Sequence, residues 1–211
     1  GERVSINQGP YALLARWNGA AWSPLPEITQ FPSLYSIAEL PGGDILVGGS
    51  FSVQGGFLNR WNGASWQSFA RAQGTFSSIR CLKLLRTGDL IAGGSFNAIN
   101  GVSSGSIARW NGSAWSPLGG GVQNTASVGA TTVYDVFELP SGELIVGGAF
   151  NLAGAVSASG VAKWDGAQWS SLGSANTMSI YAAAVLSDGS VVVGGNRSEE
   201  RRVGKECRSR W

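Results

Sequence analysis

The sequence contains no histidine, which removes the commonest general base and the commonest neutral metal ligand from its chemistry. Charge is also scarce. Asp, Glu, Lys and Arg make up 13% of 211 residues, about half the share usual in globular domains. No apolar run approaches the ~18 residues of a membrane-spanning helix. Cysteine occurs only twice, at Cys81 and Cys207; Cys207 lies in a terminal stretch of foreign character, so no disulfide is expected. No segment carries a capped apolar period of 3.6 residues, so helices are not expected either. The chain is rich in glycine (32), in tryptophan (nine) and in hydrophobic residues (43%). That combination suits short strands and tight turns around a sizeable core.

The composition breaks after Gly195. Residues 197–211 read RSEERRVGKECRSRW and hold six of the 15 Lys and Arg and three of the 13 acids. The rest of the chain therefore has nine basic and ten acidic residues, and its charge argues for neither a nucleic-acid nor a membrane partner. The terminal string resembles the in-frame translation of a common sequencing-library adapter, so it is excluded from the fold as a non-native tail. The competing reading is a basic nucleic-acid-binding tail. The chain starts at Gly1 without methionine, and both ends are expected to be arbitrary, with the natural protein continuing past Asn196.

Internal repeats dominate what remains. RWNGAAW begins at Arg16, RWNGASW at Arg60, RWNGSAW at Arg109 and KWDGAQW at Lys163. The first tryptophans are Trp17, Trp61, Trp110 and Trp164; the second are Trp22, Trp66, Trp115 and Trp169, always five later. A second motif interleaves: LPGGDILVGGSF (40–51), LRTGDLIAGGSF (85–96), LPSGELIVGGAF (139–150) and LSDGSVVVGGN (186–196). Its glycine pairs are Gly48-Gly49, Gly93-Gly94 and Gly147-Gly148, with a fourth beginning at Gly194. Each repeat parses into four short strands. In the first, these are 35–40, 44–51, 57–61 and 64–69. Asn62-Gly63 reads as a two-residue type I′ hairpin turn, with Asp165-Gly166 equivalent in the last copy.

Four strands per ~45-residue repeat predict a β-propeller of four-stranded antiparallel blades. The motifs resemble kelch-type repeats. The resemblance is closer to the tryptophan-rich "GG-x-F … R-W-N-G-x-x-W" repeats of bacterial surface and secreted proteins, kin to the delta-60 propeller repeats. It covers residues 11–196 and departs from standard kelch in the fixed Trp-Asn-Gly-x-x-Trp hairpin. It implies a propeller and an extracellular or cell-surface location. Residues 11–25 supply half a blade, 35–69, 79–118 and 133–172 supply whole blades, and 181–196 supply another half. The expected product is an open fragment of a larger ring, with about four blades' worth of strands.

The repeated tryptophans have two readings, sugar-stacking platforms or packing between blades. Identity in every repeat favours packing, because a ligand site is usually made once. The glycine pairs end strands and open no helix, so they read as close backbone approach rather than phosphate cradles. Asp44, Asp89 and Glu143 read as turn chemistry, and Asn111-Gly112-Ser113 as turn rather than glycosylation site. Aligned first-strand positions are Ser36, Cys81, Asp135 and Ala182, and likewise Glu39, Leu84, Glu138 and Val185. First strands line a propeller's channel, so Glu39, Asp135 and Glu138 are the candidate acids of a propeller glycoside hydrolase or lyase. Asp135 and Glu138 lie three apart on one strand and do not form a pair. A copper site of the galactose-oxidase kind needs histidine.

The variable loops fall on one edge: 26–34, 52–56, 70–78, 97–105, 119–132, 151–159 and 173–180. Variable loops on a rigid scaffold usually carry recognition. The expected function is a non-enzymatic extracellular module binding protein or glycan there, or serving as a spacer, without cofactor or metal. A fragment of a propeller enzyme is the alternative.

Overall fold

The computed structural model describes residues 14–26, 33–50, 57–74, 77–125, 130–173, 178–186 and 190–197. These residues are all-β. Among them there is no helix, and hence none long and apolar enough to cross a membrane. A leading hairpin, β1 (Ala15–Trp17) and β2 (Trp22–Pro24), precedes three four-stranded units. Unit one is β3 (Ser33–Glu39), β4 (Ile45–Ser50), β5 (Phe57–Trp61) and β6 (Trp66–Gln73).

Unit two is β7 (Ser78–Leu84), β8 (Leu90–Ser95), β11 (Ile107–Trp110) and β12 (Trp115–Pro117), with a small hairpin, β9 (Ala98–Ile99) and β10 (Val102–Ser103), set between its second and third strands. Unit three is β14 (Thr132–Glu138), β15 (Leu144–Ala149), β18 (Val161–Trp164) and β19 (Trp169–Ser171), preceded by β13 (Val122–Gln123). Its inserted hairpin is β16 (Leu152–Ala153) and β17 (Val156–Ser157). A last hairpin follows, β20 (Met178–Val185) and β21 (Val191–Arg197). Within each unit every strand pairs antiparallel with the next long one. The sixteen long strands are those read from the repeats. Arg197, assigned from composition to the foreign tail, ends β21; the rest of that stretch lies outside the described residues.

The units pack face to face in sequence order, and the second strands explain why. Each is an apolar run terminated by glycines, so both of its faces need cover. Ile91 in β8 packs with Val133 and Trp169 of unit three, while Leu90 and Ala92 on its other face pack with Leu46 and Ala70 of unit one. Ile145 in β15 meets Ile180 of the last hairpin, while Leu144 and Val146 meet Cys81 and Ile107 of unit two. The core is thus a series of layers between units, of which the first two are also joined into one hydrogen-bonded sheet through the Ser50–Ser78 and β6–β9 pairings.

The glycine pairs make this stacking possible. A Cβ on Gly48 would lie 2.6 Å from Cγ2 of Ile79, and one on Gly147 would lie 2.9 Å from Cγ2 of Ile180. Gly93 seats Val133 in the same way. The first glycine of each pair is therefore the seat for a β-branched residue on the next unit's first strand. The second glycine faces its own unit. Side chains on Gly94 and Gly148 would collide with the backbone carbonyls of Ser78 and Thr132. That carbonyl sits close because every first strand carries a bulge at this point, between residues 34 and 36, 79 and 81, 133 and 135, and 180 and 182.

The hairpin between third and fourth strands differs from the expected two-residue turn. The tryptophans themselves are the last paired residues, Trp61 with Trp66 and Trp110 with Trp115. The connection is therefore four residues long. Only its glycine has positive φ, +91° at Gly63 and +97° at Gly112. The Asn side chain does the work assigned to a type I′ backbone: Asn62 Oδ1 accepts from the N–H of Ala64 (3.0 Å) and Ser65 (2.8 Å). Asn18, Asn111 and Asp165 repeat the arrangement. An acceptor three atoms beyond Cα satisfies two N–H groups at once, so this Asx turn replaces a left-handed Asn.

Candidate functional site

The motif tryptophans pack in pairs. In each hairpin the two indoles pack at centroid distances of 5.5, 5.3, 5.5 and 5.1 Å, tilted by 47–53°. The second tryptophan leans on the end of the preceding unit. Trp66 Nε1 donates to the carbonyl of Pro26 (2.9 Å) and Trp169 Nε1 to that of Leu118 (3.0 Å). Trp115 instead takes Phe69 edge-on at 6.3 Å, and its Nε1 has no partner among the described residues. Gly119, first of the Gly119–Gly121 run, leaves the space that Trp164 and Trp169 fill. Gly121 lies against the backbone of Ser104 and Gly105. This glycine-rich stretch, expected to be a recognition loop, is packed at the joint between units two and three.

Two other variable loops are also partly spent on the scaffold. Loop 97–105 folds into β9–β10, and β9 pairs with β6 of the preceding unit (Gln73 with Ala98). Loop 151–159 does the same, its β16 pairing with β13 (Gln123 with Leu152). Residues 27–32, 52–56, 75–76, 126–129 and 174–177 of the predicted loop edge lie outside the described residues.

Two of the three candidate acids, Asp135 and Glu138, are engaged in holding units together. The Asp135 carboxylate accepts from the backbone N–H of Val136 (2.9 Å) and of Ala183 on the next first strand. Ser36 Oγ takes the equivalent N–H, that of Leu82, at 2.8 Å. Burial raises the pKa of Asp135, and these two bonds oppose the rise. Glu138 accepts from the N–H of Arg86 in the preceding unit's turn (3.0 Å). The Arg86 guanidinium bonds in return to the carbonyls of Leu139 and Pro140. Glu39 ends its strand exposed. Asp44, Asp89 and Glu143 do more than shape turns, since each pairs with the cation of its RWNG motif: Arg60, Arg109 (2.6 Å) and Lys163 (2.6 Å). Asn111 likewise spends its side chain on its turn. Among the described residues no three of His, Cys, Asp and Glu come together. Burial pushes the Cys81 thiol well above its ordinary pKa, the signature of a small core residue rather than a nucleophile.

One side-chain row is left over after packing, and it sits where the repeats differ. The residue expelled by each first-strand bulge is Tyr35, Arg80, Tyr134 and Tyr181 in turn. Bulges re-aim side chains, and these four meet across successive units. The Arg80 guanidinium lies 4.2 Å from the Tyr35 centroid and 5.9 Å from that of Tyr134. Tyr134 and Tyr181 pack edge to face at 4.8 Å. Tyr35 and Tyr181 are exposed, and side chains after the glycine pairs hold their hydroxyls: Ser50 Oγ at 3.2 Å and Asn196 Nδ2 at 3.4 Å. The bond to Ser50, and more weakly the nearby Arg80 charge, lower the Tyr35 pKa.

Arg80 has no carboxylate partner among the described residues, and its Nε reaches only Ser78 Oγ (3.3 Å). The first strand starts, and the second ends, at the edge of each unit that carries the variable loops, so the row belongs to that edge. Its sequence signal was available: it is the position just before Ser36, Cys81, Asp135 and Ala182, where a repeated tyrosine is interrupted once by arginine. No protein-family model matches the chain, and no curated protein matches it.

Proposed function

We propose that the chain is part of a β-propeller, an open arc of four-stranded blades, that serves outside the cell or on its surface as a non-enzymatic binding module. The propeller reading is supported by the order of strands within each unit and by the sequential face-to-face packing of the units. The observation that carries the functional reading is the Tyr35–Arg80–Tyr134–Tyr181 row. It is built at a repeated position that varies in chemistry, with Tyr35 and Tyr181 exposed and Arg80 and Tyr134 partly covered, while the repeat-identical residues between units are consumed by packing. Tyrosines with fixed hydroxyls offer large, rigid, amphipathic contact at low entropic cost. The row therefore suits the flat, partly apolar faces of a glycan. The candidate acids all serve the scaffold or stand alone, which supports binding over hydrolysis. Screening the chain against an oligosaccharide array tests this reading. Binding that falls at least ~tenfold, a loss of about 1.4 kcal/mol, in Tyr134→Ala and in Arg80→Gln with unchanged circular dichroism is expected. Capture of a protein ligand alone, indifference to both substitutions, or release of cleaved sugar would contradict it.

A further inference from the structure

Arg80 is a cation that the scaffold leaves without a counter-charge. Arg60, Arg109 and Lys163 each pair with the acid of their own unit, and Arg86 pairs with Glu138. Lys83, on the same strand as Arg80, carries its charge near Asp135. Arg80 meets no carboxylate among the described residues. It stands at the bulge of β7 with units one and three packed on either side of that strand, so its surroundings are those of the middle of the array. The first strands of the other units place tyrosine there, at Tyr35, Tyr134 and Tyr181. Packing at the bulge therefore does not call for arginine.

The side chain is nonetheless held in place. Its Nε donates to Ser78 Oγ (3.3 Å), and Ser78 is itself buried. The guanidinium lies 4.2 Å from the centroid of Tyr35 and 5.9 Å from that of Tyr134. Contact with aromatic rings suits this planar, weakly hydrated cation. With Nε engaged, Nη1 and Nη2 are left as a parallel pair of donors, the fork that binds two oxygens of one anionic group. A partly covered pair beside aromatic rings is screened less than one in open solvent. The chain up to Asn196 has nine basic and ten acidic residues, so no general positive field draws an anion to this row.

We propose that Arg80 makes the row selective for an acidic glycan by pairing with the anionic group of one sugar residue, a uronate carboxylate or a sulfate ester. The proposal rests on the reading of the row as a glycan site and adds the class of sugar. Both groups project from the rim of a pyranose and present the pair of oxygens that the fork needs. A sugar ring lying against a tyrosine therefore carries its charge sideways, toward a cation set among the rings. Tyr134 and Tyr181, packed edge to face at 4.8 Å, extend the aromatic surface away from Arg80 for further residues of the same glycan.

Calorimetric titration of the full chain with two matched pairs of oligosaccharides tests it, at about 0.15 M salt. One pair is an oligogalacturonide and its carboxyl-reduced counterpart; the other is a sulfated oligogalactan and its desulfated counterpart. The acidic member of at least one pair is expected to bind at least ~tenfold more tightly than its neutral counterpart, equivalent to about 1.4 kcal/mol, and that pair identifies the group. Arg80→Gln brings the acidic member down to the affinity of the neutral one, whereas Tyr134→Ala weakens both and leaves their ratio. The six basic residues of the terminal stretch attract any polyanion, but Arg80→Gln leaves them in place. A preference that persists in Arg80→Gln therefore belongs elsewhere and overturns the proposal. Equal binding of acidic and neutral members overturns it while leaving the glycan reading standing. Failure of every oligosaccharide, neutral or acidic, to bind removes both.

Discussion

Tryptophan shows how one residue type divides between repeats that look alike. Trp169 and Trp115 are equivalent and equally buried, but only Trp169 has a partner for its indole N–H, the Leu118 carbonyl. A buried unpaired donor is costly, and a typical bond is worth roughly 1 kcal/mol net. Replacing either indole by phenyl loses similar apolar contact, so the hydrogen bond decides the difference. Trp169→Phe is expected to destabilise the chain by about 1 kcal/mol more than Trp115→Phe, as read by urea unfolding of the two variants. Recurrence of the tryptophans in every repeat is the sequence signal that favours packing over a ligand site, and these two are buried. The carbonyl each one meets was not legible, because it belongs to the preceding repeat and carries no side-chain signal. The Tyr–Arg row escaped for a related reason. A bulge inserts no recognisable residue type, and its only mark in the sequence is the position before Ser36, Cys81, Asp135 and Ala182, where tyrosine gives way once to arginine.

At the scale of the element, the four-residue Asx hairpin replaces the expected type I′ turn. The error lay in reading Asn-Gly as two backbone conformations, whereas the Asn contributes its side chain and only the glycine takes positive φ. The same chemistry makes the last copy sensitive to acid. The N–H groups of Gln168 and Ala167 hold the Asp165 carboxylate below its ordinary pKa of 3.8. A carboxylate depressed by folding contributes stability above its unfolded pKa and loses it as pH falls through its folded value. Glu143, held down chiefly by Lys163, acts in the same direction. Asp135, raised by burial, acts oppositely, its contribution being greatest in acid and declining as pH rises through the carboxylate range. Asn fills the Asp165 place in the other three hairpins. Asp165→Asn is therefore expected to leave the melting temperature unchanged near neutrality and to lessen its fall below about pH 4. Melting followed by circular dichroism across pH checks this, and a steeper acid loss in the variant would refute the assignment.

For the whole molecule, strand content and repeat boundaries were legible because period, turn residues and apolar runs agree at every level. The face-to-face stacking followed less directly. Glycine pairs announce close approach, but which face they present and what sits on them depend on the neighbouring sheet. The loops show the same limit: those at 97–105 and 151–159 read as free for recognition, yet the first returns a hairpin that pairs with β6 of the unit before it and the second one that pairs with β13, between units two and three. The seating of each unit on a glycine of the one before it holds the array together. Its most direct test is the melting of Gly48→Ala beside Gly194→Ala, at concentrations where the chain is monomeric. The added methyl on Gly48 meets Ile79 at 2.6 Å, whereas that on Gly194 meets nothing within 4 Å. Overpacking of a closed seat costs about 1–3 kcal/mol, so Gly48→Ala should melt several degrees lower while Gly194→Ala melts like the parent chain. Equal melting of the two variants would contradict the seating of each unit on the glycine of the one before it.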